Sequence, residues 1–387
     1  MTRTGLALAI VLGLATASST PPAAIRAQTA DRYQSTLQPW IEHLLEREHR
    51  PGLAIAVVEG NRVVYAHGFG VRRLGKEGPI TTRSLFHMAS ITKPFVATSL
   101  MQLVEKGKVD LDATVVRYLP YFRMADERYR TITVRQMVTH SSGMPDVDDY
   151  EWNKPQYDDG SLERYVRSLS DRRLLFPPGE KFRYSNMAFE ILGDVIAKVS
   201  GRSFDDYVQD RILTPLRMKD STLLVRRADA TLLTWGHELD EHDRPFPSKV
   251  FPYNRIHSPS SNLHSNVLDM ARWAMANLNH GELDGRRILQ ASAYELLWKR
   301  ARDLGGPPPA PSRLSPVGLS WFIREYRETT MVGHSGGDTG YATDLAMLPE
   351  KKIAVVWMMN SDWRGNDGLT RAALDVALGQ QPQPIQP

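Results

Sequence analysis

Residues 85–119 read LFHMASITKPFVATSLMQLVEKGKVDLDATVVRYL, and within them Ser90-Ile91-Thr92-Lys93-Pro94 decides how the rest of the chain is read. Proline lacks a backbone N–H and is tolerated only in a first helical turn, so a helix begins close to Ser90. Its apolar stripe continues through Val96, Leu100, Leu103 and Val104, and Gly107 is a good stop. The Ser90 hydroxyl then lies at a helix N-terminus, where free N–H groups and the dipole favour a developing oxyanion. Lys93 follows one turn on, on the same face. A partly desolvated lysine beside a serine can lose its proton near neutral pH and act as its base. The same spacing also fits a capping serine and an unrelated surface lysine, because S-x-x-K arises by chance in many chains of this length.

Working outward, residues 31–49 read as a helix with Leu37, Ile41, Leu44 and Leu45 on one face. Leu53 to Glu59 and Arg62 to Phe69 are β-rich runs joined by Gly60-Asn61, a two-residue hairpin signal. From about 84 to 225 the character is helical; Ile191, Leu192, Val195, Ile196 and Val199 keep helical spacing up to Gly201, and Ser203 caps a short helix with Asp205 and Asp206 in its first turn. Beyond 227 the pattern reverts. A helix near 266–278 precedes β-like runs at 317–325, 329–333, 341–348 and 353–359, and a last helix spans 367–378. Residues 303–316 are rich in Pro and Gly and read as a surface loop; the polar, Pro-rich tail from Gln380 reads as frayed. Strand pairs at both ends with helices between them predict an α+β fold: an antiparallel sheet whose halves, 28–79 and 227–387, meet around a helical insertion, 80–226.

Composition narrows the function. The chain has 387 residues, 42% of them hydrophobic, enough for a sizeable core. With 48 basic and 44 acidic residues and no basic block, it carries no electrostatic footprint for nucleic acid. The absence of Cys excludes disulfides, thiolate metal sites and a cysteine nucleophile. Arg3 followed by the apolar run Gly5 to Ala15, with Ala15-Thr16-Ala17 and Ile25-Arg26-Ala27 as cleavage sites, reads as a signal peptide over 1–27. The expectation is therefore a periplasmic or secreted protein without a transmembrane span after cleavage. No motif specifies an oligomeric state.

Two further sites carry candidate chemistry. Tyr184-Ser185-Asn186 precedes a helix, where a loop tyrosine can present its hydroxyl and Asn186 offers a donor and an acceptor; packing and capping would explain it equally well. Gly333-His334-Ser335-Gly336-Gly337 follows a strand-like run, and its glycines suit close backbone approach on an edge strand with N–H groups aimed at a substrate. It also matches the G-x-S-x-G nucleophile elbow, which would make Ser335 the nucleophile, but no histidine follows His334 as that fold requires. His237 and His242 are five apart, which fails the helical zinc pattern and reads as a solvated hairpin or loop. Asp110 and Asp112 read as turn formers, and His140-Ser141-Ser142-Gly143 as a cap and turn.

Taken in order, Ser90-x-x-Lys93, Tyr184-x-Asn186 and His334-x-Gly336 resemble the S-x-x-K, Y-x-N and K-T-G set of penicillin-recognising serine hydrolases. Segments 85–119, 131–145, 177–218 and 262–278 are likewise similar to class C β-lactamase-related proteins. The resemblance implies a β-lactamase/transpeptidase-like fold, an antiparallel sheet flanked by the terminal helices with an inserted all-α domain, and a site at their junction that uses neither cofactor nor metal. It implies Ser90 as the acylated nucleophile, Lys93 as its base and Tyr184 as general acid/base for the leaving group and the deacylating water. It further implies that Asn186 holds a substrate amide or the Lys93 ammonium, that the N–H groups of Ser90 and Gly337 form the oxyanion hole, and that His334, Ser335 and Gly336 bind substrate. Two departures stand out: His334 replaces the lysine of the third motif and Ser335 its threonine. The class A S-D-N motif is absent, since Ser260-Ser261-Asn262 differs and follows Tyr184. Histidine ordinarily titrates near pH 6.5, so a partial charge on His334 is expected at neutral pH. Esters, amides or D-amino-acid peptides are then expected to outperform β-lactams, whose carboxylate wants a permanent cation. The rival is a non-catalytic cell-wall or ligand-binding protein on the same scaffold; the presence of Ser90, Lys93, Tyr184 and Asn186 together speaks against it.

Overall fold

A six-stranded antiparallel sheet is assembled from the two ends of the chain. The computed structural model describes residues 23–76, 78–300, 317–363 and 367–383. Strands β1 (Gly52–Glu59) and β2 (Arg62–Gly70) form the N-terminal hairpin; β3 (Phe322–Tyr326), β4 (Thr329–Asp338), β5 (Tyr341–Leu348) and β6 (Ile353–Met359) form the C-terminal part. The order is β2-β1-β6-β5-β4-β3, so the halves meet where β1 pairs with β6, from Leu53 opposite Met359 to Glu59 opposite Ile353. Gly60 turns the first hairpin with φ of +61°, a conformation open to glycine at no steric cost.

The main helices are α1 (Ala23–Arg47), α2 (Lys93–Glu105), α3 (Asn186–Ser200), α4 (Val267–Leu278) and α5 (Gly368–Ala377). Alternation along β1 and β6 sorts their side chains between two cores. Leu53, Ile55, Val57, Val355 and Trp357 pack with Leu37, Ile41 and Leu44 of α1 and Leu369, Ala373 and Leu374 of α5. Ala54, Ala56, Val58, Val356 and Met358 turn the other way, into a core shared with Met270, Trp273 and Ala274 of α4 and with the helical segments. Both cores are fully enclosed, and truncating one such side chain, Leu37→Ala for instance, costs ~2–5 kcal/mol. Caps follow the sequence closely. Gly201 ends α3 in the left-handed conformation, and the Ser203 hydroxyl accepts from the Asp206 N–H to start helix Phe204–Val208.

Several boundaries differ from expectation. The strand expected over 317–325 begins only at Phe322. The run expected to stop at 333 continues to Asp338, because a Gly-rich extension has no apolar alternation to betray it. Nor is β4 an edge strand: β3 pairs with it over Thr329–Gly333, and only from His334 onward does it have β5 alone as partner. This open half-edge is where the backbone is free to meet a ligand. His237 lies in the expected hairpin, His237–Leu239 with Pro245–Pro247, but it is buried rather than solvated: Nδ1 lies 2.7 Å from the Asn360 carbonyl, and Nε2 accepts from the Leu74 N–H at 3.0 Å. The apolar run of the expected signal peptide and the loop at 303–316 lie outside the described residues; cleavage after Ala27 would fall within α1. Among the described residues no helix is long and apolar enough to cross a membrane.

Candidate active site

Ser90 does not sit on the α-helix itself. It occupies a 3-10 turn, Ala89–Thr92, that runs directly into α2 at Lys93. In a 3-10 turn residues i and i+3 eclipse, so the spacing stacks Lys93 over Ser90 more closely than an α-helical turn would. Lys93 Nζ donates to Ser90 Oγ at 2.9 Å and to the backbone carbonyl of Ser260, also at 2.9 Å. The turn is strained at its entrance: Ala89 has φ of +47°, which costs a residue with a Cβ of order 1–3 kcal/mol. Its neighbours hold it there. Thr92 Oγ1 donates to the Ala89 carbonyl at 2.7 Å, Met88 N–H to the Leu263 carbonyl at 2.7 Å, and Thr343 Oγ1 of β5 to the Met88 carbonyl at 3.0 Å.

Lys93 is completely buried. Burial draws its ammonium down to about 7, against the opposing pull of the Glu190, Asp146 and Asp338 carboxylates. An amine titrating there is a competent base at neutral pH. Its Nζ also lies 5.0 Å from the centre of the Tyr184 ring. Burial raises the pKa of the Tyr184 hydroxyl above the ordinary phenol range, with the Ser90 side chain acting against that rise, so the phenol stays protonated.

The loop that presents Tyr184 is anchored to residues 136–146. His140, itself at φ of +54°, stacks its ring on Tyr184 with centroids 4.2 Å apart. Its Nδ1 accepts from the Ser185 N–H at 3.1 Å; burial, with Lys93 and His334 nearby, drives its basicity well below the usual range and keeps the ring neutral. Ser185 caps α3 by accepting from the Ala188 N–H and donates to the Pro145 carbonyl at 2.7 Å. Asn186 is bound to Asp146: its backbone N–H donates to Oδ1 at 2.8 Å and its amide donates to Oδ1 at 3.1 Å. Among the described residues no hydrogen bond joins Asn186 to Lys93; the Ser260 carbonyl occupies that role.

The opposite wall is the open half of β4. Gly336 allows the approach, since a Cβ there would lie 2.4 Å from both the Met88 carbonyl oxygen and Thr343 Oγ1. A Cβ on Gly337, by contrast, would meet nothing within 4 Å, so that stretch of backbone borders open space. Ser335 is exposed, pairs with Asp344 mid-strand, and is followed by the turn into β5 rather than by a helix. An elbow serine needs a strand-to-helix turn, so that reading of G-x-S-x-G is excluded here. Ser90, Tyr184, Asn186, His334, Ser335 and Gly337 line one open cleft of about 410 Å³, joined by Tyr150, Ser261, Phe322, Arg324 and Asp338.

The expected partial charge on His334 is overturned. The ring is only 3% exposed; burial first, and Lys93 second, depress it to about 3, so it is neutral at any working pH. Nδ1 lies 2.6 Å from the Ser335 carbonyl, and among the described residues the buried Nε2 has no hydrogen-bond partner. Motif reasoning also passed over Asp146, Ser260 and Glu190, which surround the serine–lysine pair. Asp146 follows the 131–145 segment directly, but nothing in its spacing links it to Asn186 forty positions on.

Comparison with known proteins agrees with this geometry. The family model described as Beta-lactamase matches residues 37–380. Protein flp of Staphylococcus aureus strain MW2 is 27% identical over 331 residues, 84% of this chain and 63% of its own; this chain thus spans under two thirds of that relative. Penicillin-binding protein 4 of Amycolatopsis lactamdurans is 29% identical over 321 residues, 82% of each chain. Among solved structures, the octameric penicillin-binding protein homologue from Pyrococcus abyssi superposes with a TM-score of 0.76 at 27% identity, over 90% of this chain and 78% of that one. A class C beta-lactamase superposes with a TM-score of 0.73 at 19% identity, over 93% and 98%, a likeness of fold.

Proposed function

The chain belongs to the beta-lactamase family, with the α+β transpeptidase-like fold and the serine hydrolase chemistry general to it, and from that premise we propose an exported hydrolase that works through a Ser90 acyl-enzyme on ester, amide or D-amino-acid peptide substrates. The observation that carries the reading is the buried Lys93 amine bonded to Ser90 Oγ and titrating near neutrality. A serine–lysine pair kept only for ligand binding has no use for an amine poised to give up its proton, so the non-catalytic alternative gains no support.

In this reading neutral Lys93 takes the Ser90 proton as Oγ attacks the carbonyl carbon. The carbonyl π pair moves onto oxygen, and the N–H groups of Ser90 and Gly337 receive that oxyanion; one such donor is typically worth ~10²–10³ in rate. The carbonyl re-forms as the bond to the leaving group breaks, and the protonated Tyr184 phenol supplies the departing proton, recovering it through Lys93. Water then attacks the acyl-enzyme by the same relay in reverse. Asn186, fixed by Asp146, contacts the acyl side, and Ser335 and Gly336 flank the substrate along the open half of β4.

A neutral His334 sharpens the substrate preference. It offers a β-lactam carboxylate no positive charge at the place of the motif's lysine and leaves that part to Arg324 on the cleft wall, so esters and amides are expected to be turned over better than cephalosporins. A fluorophosphonate probe should label Ser90, and a screen of p-nitrophenyl esters, D-amino-acid amides and cephalosporins should find turnover in the first two classes. Ser90→Ala should lower kcat by ~10⁶; undiminished hydrolysis in that variant would sink the proposal.

A further inference from the structure

Close to Lys93 lies a buried acid–imidazole pair that the reaction above leaves unused. Glu190 stands one turn beyond Asn186 on α3 and has no exposed surface; His257, in the 3-10 turn Arg255–His257, is 2% exposed. Glu190 Oε1 lies 2.9 Å from His257 Nδ1 and accepts from Ser260 Oγ at 2.5 Å, while Oε2 is buried with no hydrogen-bond partner among the described residues. Desolvating a carboxylate is costly, and apolar packing would serve stability at least as well. The pair therefore asks for a reason, and Ser260 supplies one: its hydroxyl is held by Glu190, and its backbone carbonyl accepts a Lys93 N–H. The segment is short and tightly turned, with the Ser260 and Ser261 N–H groups both donating to the His257 carbonyl.

We propose that Glu190, held by His257, is a positioning residue for Lys93, which through Ser260 aims the carbonyl that receives one Lys93 N–H. This rests on the Ser90–Lys93 reading above. Burial raises the Glu190 carboxyl above its ordinary range, while His257, Ser260 and Lys93 favour its anion. The other charged or titratable groups facing Lys93 are Asp146, Asp338, His334, His140 and Tyr184; those facing Glu190 are His257, Lys93, Tyr150, Tyr165 and Tyr184. With one oxygen shared between His257 and Ser260, Glu190 is oriented by the 257–260 segment.

The test uses the full chain and a neutral p-nitrophenyl ester, with fluorophosphonate labelling of Ser90 as an independent check of the nucleophile. Glu190→Gln keeps a side-chain acceptor for Ser260 and removes the charge. Losing a nearby anion lets Lys93 give up its proton more readily, so the acid limb of kcat/KM should move about one unit toward lower pH. Looser aim should also lower kcat about tenfold, with KM changed less. Ser260→Ala retains the carbonyl and the Glu190 charge; it should lower kcat with the acid limb unmoved, which separates aim from charge and stands in if Glu190→Gln fails to fold. Glu190→Asp should restore the limb at least in part. A folded Glu190→Gln with an unmoved limb and unchanged kcat would overturn the proposal, as would a Ser260→Ala of unaltered kcat. Absence of Ser90 labelling in the unaltered protein would instead remove the serine–lysine reading and this proposal with it.

Discussion

Two buried bases face the same cleft, and they behave in opposite ways. Lys93 and His334 are both shut away from water, yet burial brings Lys93 only to about 7 and drives His334 to about 3. The difference lies in the company each keeps. Three carboxylates, on Glu190, Asp146 and Asp338, oppose the desolvation of Lys93. Around His334 the charged groups that act on it are cationic, Lys93 and Arg324, and only the Ser335 carbonyl favours its protonation. Burial alone silences a base; burial beside fixed anions tunes one to the pH at which it has to work.

The largest effect available on this contrast is removal of the tuned base. Lys93→Met keeps most of the volume and takes away the amine, and kcat/KM should fall ~10²–10⁴, measured on a neutral ester, with the acid limb lost as well. A decrease of only a fewfold would mean that Tyr184 or solvent takes the Ser90 proton.

Making the silent base permanent should be nearly as damaging, but to stability. His334→Lys would bury a second ammonium beside Lys93 with no carboxylate of its own, at a cost of ~3–5 kcal/mol, visible as a lowered melting temperature. The same charge would push the acid limb of the surviving activity toward lower pH. An unaltered melting temperature would show that an anion or solvent reaches the site.

The unaltered protein offers a gentler test. Because the reaction needs neutral Lys93, kcat/KM for a neutral ester should rise with pH and level off above about 7, falling tenfold per unit below that value. His334 should add no second inflection in that range. A second limb near the ordinary histidine value would return His334 to the role first expected of it.

The smallest effect concerns the serine beside it. Ser335→Ala removes a hydroxyl at the rim of the cleft, and a single hydrogen bond is worth ~0.5–1.5 kcal/mol, so activity should drop by no more than about tenfold and Ser90 should still be labelled. Loss of labelling in this variant would revive the elbow reading.

Much of the fold was legible before any coordinates. The β-rich run Leu53–Glu59, the Gly60-Asn61 turn, the Gly201 stop and the Ser203 cap are local signals, and each reads the same way in three dimensions. The run at 329–338 was read short because glycines and a buried histidine break the alternation that marks a strand.

By itself the sequence determined the order of the three motifs, the α+β layout with its two halves brought together, and the identity of the serine and lysine that stand a turn apart. Tertiary structure alone decided their state. Lys93 titrates near neutrality because burial lowers its ammonium while Glu190 and Asp146 partly oppose that, and it is aimed by a carbonyl 167 positions away on Ser260; Asn186 is bound to an acid forty positions earlier rather than to Lys93. His334 is neutral because β4 carries it inside, next to a cation. Motifs report which groups are present, since covalent spacing is written in the chain. Protonation depends on solvent exclusion and on the sum of charges from several elements, and those quantities come into being only when the chain has closed around the site.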